Sequence, residues 1–381
     1  MAPLTLAATG LVLLGLAIAW RELVRERHLH RWITGHAGQV LRRRAASRSP
    51  VHLIVCVVDH FEPGWGGAGL EVQRARVRRW VAEYPTLARR HRDAGGRPYQ
   101  HTFFYPIEEY VPEHLDALAG LRRQGFGDVE VHLHHDGDTS DGLRAALLGF
   151  TATLRERHGL LRVDATGRVR YGFIHGNWAL DNSRPDGRWC GVNDELRILG
   201  QTGCYADFTM PSAPSDTQTR KINGIYYATD DPRRPKSHNT GVDVRVGGAP
   251  TGDLLMVQGP LTLNWSRRKW GVLPRIENGE LSADAPPAPE RAALWVAQDI
   301  HVRGRPEWRF VKLHTHGAQE ANAGVLLGEA MDALLSHLER AYNDGARYRL
   351  HYVTAWELYL LVKAAERGAP VLTVAEVVQG A

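Results

Sequence analysis

The chain has 381 residues, 43% of them hydrophobic and 23% charged, which supplies a well-buried core and excludes a disordered segment or a repetitive fibre. Its formal net charge is +5 with His neutral. The excess sits in Arg21, Arg25, Arg27, Arg31, Arg42, Arg43, Arg44 and Arg48, with no recognition motif or aromatic-lined basic groove, so nucleic acid is not an expected partner.

Residues 4–20 carry no charge and fall within the roughly 17 to 25 residues of a spanning helix. They read as a membrane segment or a signal peptide. The triplet Ala17-Ile18-Ala19 favours cleavage, whereas the lack of Lys or Arg before the run and the arginines directly after it favour an uncleaved anchor, the preferred reading. The positive-inside rule then makes this a single-pass membrane protein with everything after residue 20 cytoplasmic. Residues 21–50 read as a basic juxtamembrane linker facing anionic headgroups, and residues 51–381 as the folded domain.

From Val51 the run VHLIVCVVD is apolar and rich in β-branched residues, as in a strand buried on both faces of a parallel sheet. A helix is predicted over 70–93, where Val77, Trp80, Val81, Tyr84 and Leu87 recur three or four apart. Strands follow at 100–106, 128–134, 169–175, 254–259, 308–314 and 349–354, alternating with helices at 112–124, 140–157, 193–199, 323–343 and 355–366. The alternation argues for βαβ units and a parallel sheet. Residues 211–289, rich in Pro, Gly and Asp, read as long loops and insertions on that fold. The cysteines Cys56, Cys190 and Cys204 lack a C-x-x-C spacing and read as buried or loop thiols, although Cys190 and Cys204 could bridge in an oxidising compartment.

Ionisable residues gather at the predicted strand ends, where α/β barrels carry their chemistry. Asp59-His60 could pair a base with a metal ligand. The stretch from His132 through His134, His135 and Asp136 to Asp138 packs imidazoles and carboxylates of the kind zinc takes. His175 and Trp178 could grip a sugar, Asp207 could line the site, and His314 and His316, two apart, share one face of a late strand, where one could act as a general acid opposite Asp59.

In order and spacing these segments resemble the polysaccharide deacetylases. The series runs Val57-Val58-Asp59-His60, His101-Thr102-Phe103-Phe104, Glu130-Val131-His132-Leu133-His134-His135 with Gly137-Asp138, and Leu313-His314. The resemblance implies a distorted seven- or eight-stranded (β/α) barrel with long loop insertions, which would follow the one N-terminal transmembrane helix read from residues 4–20. It also implies a divalent metal, zinc by preference, held by His60, His134 and Asp138, with His132 or His135 open as replacements for Asp138. Asp59 falls on the family's base and His314 on its acid, with His175, Trp178 and His316 against substrate. The expected activity is removal of N- or O-acetyl groups from a polysaccharide or lipid-linked glycan in cell-envelope or exopolysaccharide biosynthesis. Two alternatives accompany it: a glycoside hydrolase pairing Asp59 with Asp207 or Glu320, and a non-catalytic glycan-binding or assembly protein.

Overall fold

The computed structural model describes residues 21–22, 24–42, 50–370 and 374–379. Its strands are β1 (Val51–His60), β2 (Thr102–Pro106), β3 (Asp128–Leu133), β4 (Arg162–Val163), β5 (Val169–His175), β6 (Cys204–Asp207), β7 (Ile225–Ala228), β8 (Val242–Asp243), β9 (Leu254–Val257), β10 (Thr262–Lys269), β11 (Leu273–Glu277), β12 (Glu280–Leu281), β13 (Trp308–Thr315) and β14 (Tyr348–Tyr352). All but the β10–β11 hairpin belong to one 12-stranded sheet in the order β12-β13-β1-β2-β3-β5-β6-β9-β7-β8, with β14 on β1 and β4 on β5.

The apolar run of β1 makes it the spine of this sheet. Along one side it pairs in parallel with β13, from His52 opposite Trp308 to Asp59 opposite Thr315. On the other side its first half pairs with β14 and its last residues with β2. A strand with partners on both edges and packing on both faces must be apolar throughout, which is why no polar alternation shows in its sequence.

The two faces are covered differently. Leu53, Val55 and Val57 join Val129, Val131, Phe173 and Leu313 beneath the helices Leu70–Arg90, Pro112–Arg123, Ser140–Glu156, Glu195–Thr202 and Glu329–Tyr342. Ile54, Cys56 and Val58 join Ile174, Phe310 and the helix Ala355–Glu366 on the other face. That last helix begins at a capping box in which Thr354 and Glu357 each satisfy the other's backbone N–H. Side chains of a strand alternate between faces, so the odd residues of β1, β3, β5 and β13 lie under the helical layer and the even ones lie opposite. This parity decides where each ionisable residue goes.

Two expectations need correction. The closed seven- or eight-stranded barrel is not formed, because the hydrogen-bonded strand path has two ends. The stretch expected to be loops supplies β7 and β8, which pair antiparallel beyond β9, and β12, which pairs with β13, so the two edges are capped rather than joined. A side chain spans the remaining gap: the Lys312 ammonium on β13 donates to the Phe208 and Met210 carbonyls beyond β6, at 2.7 and 2.8 Å.

The second correction concerns the membrane. Among the described residues no helix is long and apolar enough to cross a bilayer, and the segment expected to do so, 4–20, lies outside them. The expected transmembrane helix and single-pass placement with a cytoplasmic catalytic domain therefore do not stand. Within the stretch expected to be a basic linker, the helix Ile33–Arg42 follows Trp32, which is fully buried with Ala213, Ile222 and Leu261. Gln39 donates to the Ile222 carbonyl at 2.6 Å and accepts from Asn223 at 2.7 Å, so this helix packs on protein.

Candidate metal centre

The even residues at the carboxyl ends of β1, β3 and β13 converge on Glu62, two residues beyond the end of β1. One Glu62 oxygen lies 3.0 Å from His134 Nε2 and 3.4 Å from His132 Nε2, and the other lies 2.8 Å from His316 Nδ1. His60 packs beside them, its ring 4.5 Å from that of His316 and 4.8 Å from that of His132. Glu62 with His60 and His316, and Glu62 with His132 and His134, are two groups whose donor atoms could hold a metal ion. A third such group is His135, His175, Cys190 and Glu195.

Second contacts set the tautomers. His132 Nδ1 lies 2.8 Å from the Ile174 carbonyl, which can only accept, so His132 carries a proton on Nδ1 and turns Nε2 to Glu62. His134 Nδ1 is bonded to Glu108, which also accepts from the His134 amide at 3.1 Å. Nε2 of His60 is buried without a hydrogen-bond partner. Imidazole nitrogens crowded on one buried carboxylate call for a cation among them, either protons or a metal.

The electrostatics follow from that crowding. Burial alone would raise Glu62, but hydrogen bonds from His132, His134 and His316 hold it well below the usual carboxylate range. Burial would lower His134, yet Glu108 and Glu62 push it up to about 10. His60 goes the other way: burial, with His316 and His132 adding positive potential, holds it well below the ordinary imidazole value.

Trp178 closes one wall, its ring 4.7 Å from His60 and 5.1 Å from His314. It holds this place in a left-handed backbone conformation at φ 62°, following Asn177 at 51°. Strain at a bulky residue marks a position fixed by its surroundings. Gly176 just before it must be glycine, since a Cβ there would lie 2.3 Å from the His134 ring. His314 is buried near Trp178 with Nδ1 unpartnered, and burial, then Lys312, holds it well below its ordinary value. Trp65, 49% exposed, lies 6.1 Å from the His316 ring at the solvent side.

The residues singled out from sequence thus divide. His60, His134, His314, His316 and Trp178 come together around Glu62. Asp59 does not join them, because its odd position turns it under the helical layer. Its oxygens take the Gly317 amide at 2.6 Å and His101 Nε2 at 2.9 Å, and Trp80 donates to the Gly317 carbonyl at 2.8 Å. His175 lies in the third group and Asp138 beside it: Asp138 contacts His135 Nδ1 at 2.9 Å, and His175, fully buried, faces His135 at 2.8 Å. Asp207 is buried on Thr209, and burial pushes it up to about 7. Glu320 is ion-paired with Arg76 at 2.7 Å.

Sequence reasoning missed Glu62, Glu108, Cys190 and Glu195. Glu62 carried a signal, as a carboxylate in Asp59-His60-Phe61-Glu62-Pro63 on the parity of His60. The others come from loops and a helix whose approach no local pattern encodes. No protein-family model matches the chain, and a search of curated proteins finds no match to it.

Proposed function

We propose that this protein is a metal-dependent hydrolase that removes acetyl groups from a glycan, polymeric or lipid-linked, in the manner of the polysaccharide deacetylases its strand-end order resembles. The observation that carries the reading is the convergence of His60, His132, His134 and His316 on one carboxylate, Glu62, at the carboxyl ends of the parallel strands β13, β1 and β3. The half-exposed Trp65 beside His316 supports a sugar substrate, since an indole offers a flat face to a pyranose.

His132, His134 and Glu62 would hold the ion, zinc by donor type, with Ile174 and Glu108 fixing the two imidazoles. Bound there, such an ion would supply Lewis acidity and an acidified water. On the opposite Glu62 oxygen, His316 is oriented through Nδ1 and is placed to exchange a proton with the leaving amine or alkoxide through its other nitrogen. Trp178 excludes water from the side of His60 and His314.

The test is metal content with acetate release. Purified protein should bind zinc and release acetate from acetylated glycans, and His134→Ala should lose both together. Zinc-loaded protein that bound acetylated glycans but released no acetate would replace this reading with a glycan-binding one.

A further inference from the structure

The third group lies under the helical layer, where parity sends His175 with Phe173. His135 comes from the turn after β3, Cys190 from a loop, and Glu195 from the start of the helix Glu195–Thr202. Glu195, His175 and Cys190 are fully buried, and the His135 side chain nearly so.

Hydrogen-bond accounting leaves the two imidazoles and one Glu195 oxygen facing each other unsatisfied. His135 Nδ1 is bonded to the Asp138 carboxylate and His175 Nδ1 to the Gly176 carbonyl, so both rings carry their proton on Nδ1. Their Nε2 lone pairs then face each other at 2.8 Å, with Glu195 Oε1 3.5 and 3.6 Å away. Glu195 Oε1 has no hydrogen-bond partner, although Oε2 accepts from the Asp181 amide. Two lone pairs and a bare anionic oxygen aimed at one point in a dry interior require a positive charge there.

The sulfur is prepared in the same sense. Amides of Asn182 and Val192 point at Cys190 Sγ at 3.3 and 3.4 Å, donors that would support a thiolate once a cation offsets the burial and the Glu195 charge that otherwise keep the thiol protonated. Sγ lies 3.4 Å from Glu195 Oε2, and all four donors lie within 4.8 Å of one another. A tetrahedral zinc with ligands at about 2.0 to 2.3 Å separates its donors by roughly 3.3 to 3.8 Å. The separations of Glu195 Oε1 from the two imidazoles already match, and the imidazoles themselves need to part by about half an ångström.

We infer that His135, His175, Cys190 and Glu195 bind a second divalent ion, zinc by its mixed nitrogen, oxygen and sulfur donors, as a closed structural site. Thiolate and carboxylate neutralise the ion, Asp138 orients His135 as an outer carboxylate, and no donor is left for water. The loops are already tied for it: Asp138 N donates to the Cys190 carbonyl at 2.9 Å and Trp189 N to Asp136 at 2.6 Å. The inference stands apart from the hydrolase reading, because the Glu62 centre shares none of these ligands.

The test is cobalt substitution of the full chain. Cobalt bound here gives a thiolate-to-metal charge-transfer band in the near ultraviolet, which Glu62→Gln retains and Cys190→Ser abolishes. Metal content should fall by about one ion per chain in Cys190→Ser, and zinc should raise the melting temperature of wild type more than that of the variant. Cobalt-loaded wild type without the band overturns the inference whether or not any variant folds. So does a Cys190→Ser protein of unchanged metal content and spectrum. A wild type that binds cobalt only at Glu62 makes this cluster a proton-sharing network instead.

Discussion

Asp59→Asn separates an anchoring carboxylate from a catalytic base. Both Asp59 oxygens are engaged, by the Gly317 amide and by His101, and the side chain is fully buried. Asn keeps an oxygen for Gly317 and offers an N–H to His101, which can pass its proton to Nδ1 and donate to the Tyr99 hydroxyl, 3.3 Å away. The change replaces two charge-assisted hydrogen bonds by neutral ones, a loss of about 1 kcal/mol each, or about 2 kcal/mol in all. Asp59→Ala instead strands a buried amide and an imidazole nitrogen at about 1 to 3 kcal/mol each, so about 2 to 6 kcal/mol. Urea denaturation measures both, and acetate release from an acetylated glycan measures turnover. The geometry predicts that Asp59→Asn loses about 2 kcal/mol of stability, keeps its metal and stays within about tenfold of wild-type turnover. A positioned general base contributes roughly 10²- to 10⁴-fold. A loss of that size at unchanged stability and metal content would show that Asp59 reaches the reacting water, refuting the anchoring argument.

Other perturbations have equally definite outcomes. Glu62→Gln removes the charge shared by His132, His134 and His316, so zinc affinity measured by chelator competition should fall by at least about 100-fold; unchanged affinity would take Glu62 out of the ligand set. Gly176→Ala drives a Cβ into the His134 ring and should weaken metal binding by about tenfold or more, the range of a disturbed ligand orientation, with wild-type affinity counting against His134 as a ligand. At the far end of the sheet, burial, then His52 and Arg349, pushes His351 down to about 3, and burial, then Arg349, lowers His52. Both folded values lie below the ordinary 6.5. Between 6.5 and those values the unfolded chain takes up protons that the folded chain refuses. Stability should therefore fall as the pH drops below 6.5, by up to about 1.4 kcal/mol per pH unit for each group. His351→Phe should flatten that decline in urea midpoints, and an unchanged slope would assign it elsewhere.

The parallel sheet was legible because β1, β3, β5 and β13 are buried runs whose composition declares them, and because helices such as Leu70–Arg90 carry a regular apolar stripe. The closure of the sheet was not legible. It depends on whether short segments such as Ile225–Ala228 and Glu280–Leu281 pair at the edges, and strands of four and two residues leave little pattern. His60, His134 and His316 were legible as strand-end imidazoles. Asp59 was misplaced because adjacency in sequence at a strand end means opposite faces, a consequence of the same alternation that placed His132 with His134. Glu108 sits in a 3-10 turn after β2 and Glu195 on a helix about sixty residues beyond His135, and contacts over such separations follow from packing alone.

Alternation also explains how one turn serves two centres. His134 continues the even parity of β3 and meets Glu62, whereas His135, the next residue, turns under the helices to His175 and Cys190. Gly176 lies against the His134 ring, and its carbonyl holds His175 Nδ1, so the residue that shapes one site also orients a ligand of the other. An ion among His135, His175, Cys190 and Glu195 would fix the peptide between His134 and His135 from its buried side. Catalytic ligands must hold their geometry to within about half an ångström, and His134, on the partly exposed edge of its cluster, has its ring nitrogens tied to Glu108 and Glu62. Loss of the buried ion should therefore loosen His134 first, so that metal affinity at Glu62 falls in Cys190→Ser although Cys190 touches none of its ligands.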